Sequence, residues 1–173
     1  GGLCPTQQRN FPHREVRQVF VSPTRGQMSL EQMVTDILSY IHYDPHAEYQ
    51  LVIGSDSHNG DGTHIVTAVI IRRLGKGARY FYRHTYHEII RSLRQKLYYE
   101  TAISLEVVQL LREQLEQDGV RPLNIEIHID AGYVGPTRQL IKEIVGMVVA
   151  NGLSVRVKPH SYAASSVADR HSK

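Results

Sequence analysis

The chemistry this sequence offers lies in a few acidic side chains, and Asp56 is the first of them. It closes the run Leu51-Val52-Ile53-Gly54-Ser55-Asp56-Ser57-His58, just ahead of the turn-rich Asn59-Gly60-Asp61-Gly62. A second strand-like run from His64 to Arg73 follows, so the pair reads as a hairpin with Asp56 near the tip-side end of its first strand, pointing out of a sheet. Turn chemistry alone accounts for an Asp there, because Asp and Asn bond their own backbone at strand ends. A catalytic role requires other acids to converge on it.

Three others are candidates. Glu100 falls on the apolar stripe Leu93, Leu97, Ser104, Val107, Val108, Leu111 and Leu115 of a long helix. A carboxylate on a buried stripe must be paired, protonated or bound to a cation. Glu106, further along, is turned to solvent by helical geometry. Asp130 ends the alternating strand that begins at Leu123 and leads through Ala131-Gly132-Tyr133-Val134-Gly135 to a helix start. Ligands in open sheets sit beyond the carboxyl ends of strands, where Asp56 and Asp130 would share one edge. Asp169 lies in a short terminal helix predicted within Ser161 to Arg170, which can return across that edge. Such an oxygen-only cluster suits Mg2+ or Mn2+. Two such ions about 4 Å apart activate a water and stabilise the leaving oxygen in phosphodiester hydrolysis.

The elements that must position these acids follow from periodicity. Ser29 and Gln32 make a capping box, and Leu30, Met33, Val34, Ile37, Leu38 and Ile41 then recur at helical spacing. Strands are predicted over Tyr49 to Ser55, His64 to Arg72 and Ala78 to Tyr86, the last two joined by Leu74-Gly75-Lys76-Gly77, which makes an antiparallel meander. A helix over Leu93 to Gln117, a strand over Leu123 to Asp130, a helix over Pro136 to Ala150 and a strand over Leu153 to Val157 complete the order. Right-handed crossovers make the last two strands parallel to the first. The expected fold is therefore α/β: a mixed five-stranded sheet with helices on both faces. Residues 1–28 form an arm with a possible edge strand, and residues 29–173 form one domain that includes an added N-terminal helix.

Basic residues concentrate between the second strand and the long helix: Arg72, Arg73, Lys76, Arg79, Arg83, Arg91, Arg94 and Lys96, against the single acid Glu88. Tyr80, Phe81, Tyr82 and Tyr86 are interleaved with them. That mix matches a phosphate backbone with stackable bases, or equally a solvated strand face. The net charge of +3 is modest. The one cysteine, Cys4, excludes an internal disulfide and a thiolate cage, and no apolar run is long enough to span a membrane, so a cytoplasmic protein is expected. The 10 histidines show no zinc-binding spacing. His58 and His171, each two residues past an acid, are candidates for a proton shuttle or a phosphate contact, or are simply solvated.

The order of elements and the acids together resemble the ribonuclease H-like superfamily. Ile53-Gly54-Ser55-Asp56-Ser57, Ile127-His128-Ile129-Asp130-Ala131-Gly132 and Lys158-Pro159 with Ala163-Ala164-Ser165-Ser166-Val167-Ala168-Asp169-Arg170 are more closely similar to its bacterial YkuK-like family. The resemblance covers about Leu30 to Lys173. It implies a nuclease in which Asp56, Glu100, Asp130 and Asp169 bind two metal ions, with RNA, DNA or their hybrid as partner. Two other readings stay open: a catalytically weak nucleic-acid-binding module of the same fold, and a metal-dependent phosphoesterase acting on a small substrate.

Overall fold

A computed structural model of the chain describes residues 19–120, 122–132 and 135–158. Its elements are β1 (Phe20–Ser22), β2 (Gly26–Met28), α1 (Leu30–Tyr43), β3 (Tyr49–Asn59), β4 (Thr63–Arg73), β5 (Gly77–His87), α2 (Leu93–Gln117), β6 (Asn124–Ile129), α3 (Arg138–Ala150) and β7 (Ser154–Val157). The strands form one sheet in the order β2-β1-β5-β4-β3-β6-β7. The expected meander is β3-β4-β5, and β6 and β7 extend it as parallel strands.

The sheet has seven strands where five were expected. The extra two form a short hairpin from residues too few to show alternation, attached to the outer edge of β5 through Val21↔Tyr82. Helix α1 starts where the sequence places it: Gln32 N–H donates to Ser29 Oγ at 3.1 Å, and Ser29 N–H donates to Gln32 Oε1 at 2.8 Å. Helix α3 begins only after a 3-10 turn at Gly135–Thr137, two residues later than predicted.

The described helices do not cover both faces. Chain direction explains why: β5 to β6 through α2, and β6 to β7 through α3, step the same way along the sheet. Two right-handed crossovers in one direction put both helices on the same face. There Met33 and Ile37 of α1, Val107 and Leu111 of α2, and Ile141 and Ile144 of α3 close one core on Leu51, Ile53, Val69, Phe81 and Ile127. Truncating one of these, such as Leu111→Ala, costs about 2–5 kcal/mol. Opposite, the buried residues form two small clusters, Val52 with Ile70 and Val66 with Ala68, packed against Tyr80 and Tyr82.

Candidate functional site at the end of β3 and β6

Asp56 lies within its strand, not at its tip. Strand β3 runs three residues further, to Asn59, because the antiparallel ladder with β4 continues without a break from Tyr49↔Arg73 to Asn59↔Thr63. Strand β6 is shorter and pairs with β3 only as far as Gly54↔His128. Asp56 and Asp130 each lie two residues beyond that last pair. Adjacent strands are about 4.8 Å apart, so the register sets the two carboxylates side by side where β6 has let go of β3.

The same early end of β6 opens a place for Glu100. Beyond the last β6 pair, Ser57 N–H donates to Glu100 Oε1 at 3.0 Å, and the Ser57 hydroxyl donates to the same oxygen. One turn further along α2, Ser104 Oγ lies 2.8 Å from Ser55 Oγ, which is also 2.8 Å from Thr67 Oγ1. This buried chain of hydroxyls pins α2 to β3 and β4 and fixes the height of Glu100 above the sheet. The ion pairs that sequence proximity offers to Glu100 are not made, since Arg94 Nη2 reaches Glu143 Oε2 at 2.9 Å instead.

Burial first, then the charges of Asp56 and Asp130, push the Glu100 carboxyl up to about 7 against the opposing bonds from Ser57. Three acids bearing on one another form a hard oxygen donor set to which a divalent cation is suited. Even so, among the described residues no three His, Cys, Asp or Glu side chains meet closely enough to hold a metal ion. Lys158 takes part of that role. Its Nζ lies 2.9 Å from Asp130 Oδ1, and its backbone N–H donates to Ala131 O at 3.2 Å. The hydrogen bond to Asp130 and the negative charges of Asp130 and Asp56 raise the Lys158 ammonium above its ordinary range.

Asp169 and His171 lie outside the described residues. His58 stays on β3, exposed and directly across from His64. The polar face of β6, which sequence alternation marks as Asn124, Glu126 and His128, is largely buried. His128 Nε2 lies 2.7 Å from Glu126 Oε1, and Arg156 Nε donates to Glu126 Oε2 at 3.3 Å. Lys158 and Ser57 are the site residues that periodicity misses. Both stand inside or beside the quoted motifs, which was the one available signal.

The basic block does not form a single surface. Arg73 donates to Tyr40 O at 2.7 Å and to the Tyr49 hydroxyl at 3.1 Å, with its guanidinium 4.0 Å from the Tyr40 ring centroid. Lys76 pairs with Asp44 at 3.3 Å and Arg79 with the buried Asp36, so Arg73 and Lys76 hold the end of α1 and Arg79 its middle. Arg83 is 1% exposed and turned toward Glu106, which therefore has a partner and is not simply solvated. A buried guanidinium cannot meet a polyanion, so Arg83 leaves the set of candidate phosphate contacts. Arg72, Arg91 and Lys96 make no ion pair among the described residues.

A mixed sheet with three antiparallel strands, a long helix carrying a partly buried acid, and a parallel strand, β6, followed at once by a further acid defines an α/β protein of ribonuclease H type. The chain belongs to the ribonuclease H-like family, whose model matches residues 32–173. It is 34% identical over 167 residues to the uncharacterized protein YkuK of Bacillus subtilis (strain 168), a match that covers 90% of this chain and 97% of that one. No solved structure matches it. No described helix is long and apolar enough to cross a membrane.

Proposed function

We propose that the protein is a divalent-metal-dependent nuclease that hydrolyses phosphodiester bonds of RNA or DNA at the rim formed by Asp56, Glu100 and Asp130. The observation that carries this reading is the approach of Asp56 and Asp130 to Glu100, whose carboxyl is pushed up to about 7 by burial first and then by their two charges. Asp56, Glu100 and Asp130 would hold Mg2+ or Mn2+, with Asp169 as a further ligand. A metal pair bound there supplies an activated water and charge stabilisation at the leaving oxygen. Ser57 orients Glu100, and Lys158 balances charge next to Asp130. The cavity beside these acids, lined by Ser55, Glu100, Ser104, His128 and Asp130, is too small for a nucleotide. That favours a polymer lying across an open rim over a small substrate in a closed pocket.

The test is cleavage of labelled single-stranded, duplex and hybrid substrates in Mn2+, with Asp56→Asn as control. Loss of about a hundredfold or more is expected, since electrostatic groups at a reacting centre are commonly worth that much. Equal cleavage by variant and parent would mean a contaminating nuclease and sink the proposal. A binding module without catalysis is the second reading, and the Lys158–Asp130 pair favours it because an ammonium already compensates one acid. Under that reading Mn2+ leaves the thermal midpoint unchanged.

A further inference from the structure

On the sheet face opposite α2, the rim next to Asp56 carries rings. The register places them by strand: His58 pairs with His64, and His64 pairs with Tyr86, while Val66 lies between Asp56 and His84. All of these side chains fall on the same face, because cross-strand partners do. Tyr86 and His84 are therefore two strands, or about 10 Å, from β3. His58, His84 and Tyr86 are exposed, Tyr86 by 56%.

Tyr86 is held in place although it faces solvent. Its hydroxyl donates to Asp61 O at 3.2 Å, and its ring meets His64 edge-on with centroids 5.3 Å apart. His64 Nε2 is in turn 2.7 Å from Asp61 Oδ1. The ring also lies against Gly62, where a Cβ would stand 2.4 Å from the Tyr86 ring. Only glycine permits this approach. An exposed aromatic ring already held by a hydrogen bond and a ring contact has less rotamer freedom left to lose, which lowers one of the costs of using it to bind.

We propose that His58, His64, His84 and Tyr86 form a stacking platform for the bases of single-stranded nucleic acid entering the Asp56 rim. The proposal rests on the nuclease reading for the identity of the polymer and adds its strandedness and its mode of recognition. Of the eight basic residues from Arg72 to Lys96, only Arg72, Arg91 and Lys96 are without an ion pair, a side-chain hydrogen bond or a buried position among the described residues, so phosphate contacts are few and the rings are the stronger anchor. Arg73, Lys76 and Arg79 serve α1, Arg83 is buried, and Arg94 is taken by Glu143. Bases in a duplex are already stacked and present no face, whereas unpaired bases stack on rings regardless of sequence. Partial burial of its ring, and then His64, lower the His84 imidazole from its ordinary range.

The test is fluorescence anisotropy of the full chain in EDTA with a labelled oligothymidine, its ribo counterpart oligouridine, and an abasic strand of equal length. The parent is expected to bind base-bearing strands about tenfold more tightly than the abasic strand, as loss of one stacked base commonly does. His64→Ala with Tyr86→Ala should remove that preference and leave abasic binding unchanged. Tyr86→Phe keeps the ring and should retain most of the preference, which guards against a folding artefact. Equal binding of base-bearing and abasic strands by the parent, binding of neither, or a preference that survives the double variant overturns the platform. Because EDTA removes catalysis from the measurement, failure of the nuclease reading appears separately, as Mn2+-dependent cleavage that Asp56→Asn does not reduce.

Discussion

The ammonium of Lys158 lies 2.9 Å from Asp130 Oδ1, so a cation from the chain itself already neutralises one of the rim acids. A divalent ion bound by Asp130 must compete with that ammonium. Lys158→Met removes the competitor and one positive charge, so Mn2+ affinity should rise. Because the Lys158 side chain is 58% exposed and solvent screens it, a gain of about three- to tenfold is expected. The metal-free variant should melt lower than the metal-free parent, since three acids then have less compensation. Isothermal titration with Mn2+ checks the affinity, and an unchanged dissociation constant would mean that Asp130 is not a metal ligand.

Glu100 gives the metal-free protein a pH dependence of definite sign. Its carboxyl is raised from 4.5 to about 7, so between those values the folded state holds more protons than the unfolded state. Stability from this group is fully present below 4.5 and is lost as pH rises through 7. Other acids have their own slopes, so the measurement is the difference between parent and Glu100→Gln melting midpoints in EDTA across pH 4.5 to 8. The variant should lack the decline that the parent shows. Stabilisation by added Mn2+ should grow over the same window, as the carboxylate form becomes available. A parallel pair of pH curves would remove Glu100 from the rim.

Legibility in the sequence followed the strength of each periodic signal. Helices α1 and α2 and the β3-β4-β5 meander were readable because Ser29 and Gln32, the Leu97 to Leu115 stripe and the glycine turn at Gly75, with φ of 74°, each encode their structure locally. The hairpin of β1 and β2 is three residues on each side, too short to alternate, and depends on the edge of β5. Asp56 and Asp130 were visible as acids that end apolar runs, but their juxtaposition depends on where β6 stops, which is a tertiary fact. The basic block misleads for the same reason. Sequence shows how many arginines there are, while only packing shows that Asp36, Glu106, Glu143 and the Tyr40 carbonyl already claim four of them.

Ser104 is the hydroxyl that holds α2 at the height Glu100 needs. Ser104→Ala removes one partner of Ser55, which keeps its bond to Thr67, so no polar group is stranded. A stability loss of about 1 kcal/mol is therefore expected by chemical denaturation. The accompanying effect on Mn2+ affinity identifies the residue as positioning: weaker binding should occur without any change in the site's own carboxylates. Ser104→Thr, which restores a hydroxyl, should recover part of it. A stability loss with metal affinity untouched would make the hydroxyl chain purely structural.

Arg83 decides between two uses of the basic block. Its Nε and Nη1 lack hydrogen-bond partners among the described residues, and its nearest acid, Glu106, is 3.8 Å away and half exposed. Burial pulls the guanidinium below its ordinary range in spite of that acid. A buried cation so poorly compensated contributes little, and apolar replacements of buried ion pairs are often neutral or stabilising by about 1–4 kcal/mol. Arg83→Met, which fills similar space against Phe20, should therefore leave the melting midpoint unchanged or raised. Glu106 is left able to face water, so it imposes no new penalty. Nucleic-acid affinity and its salt dependence should be the same as in the parent, because a side chain that cannot reach solvent releases no counterion. A weaker salt slope in Arg83→Met would show instead that the guanidinium emerges to meet phosphate.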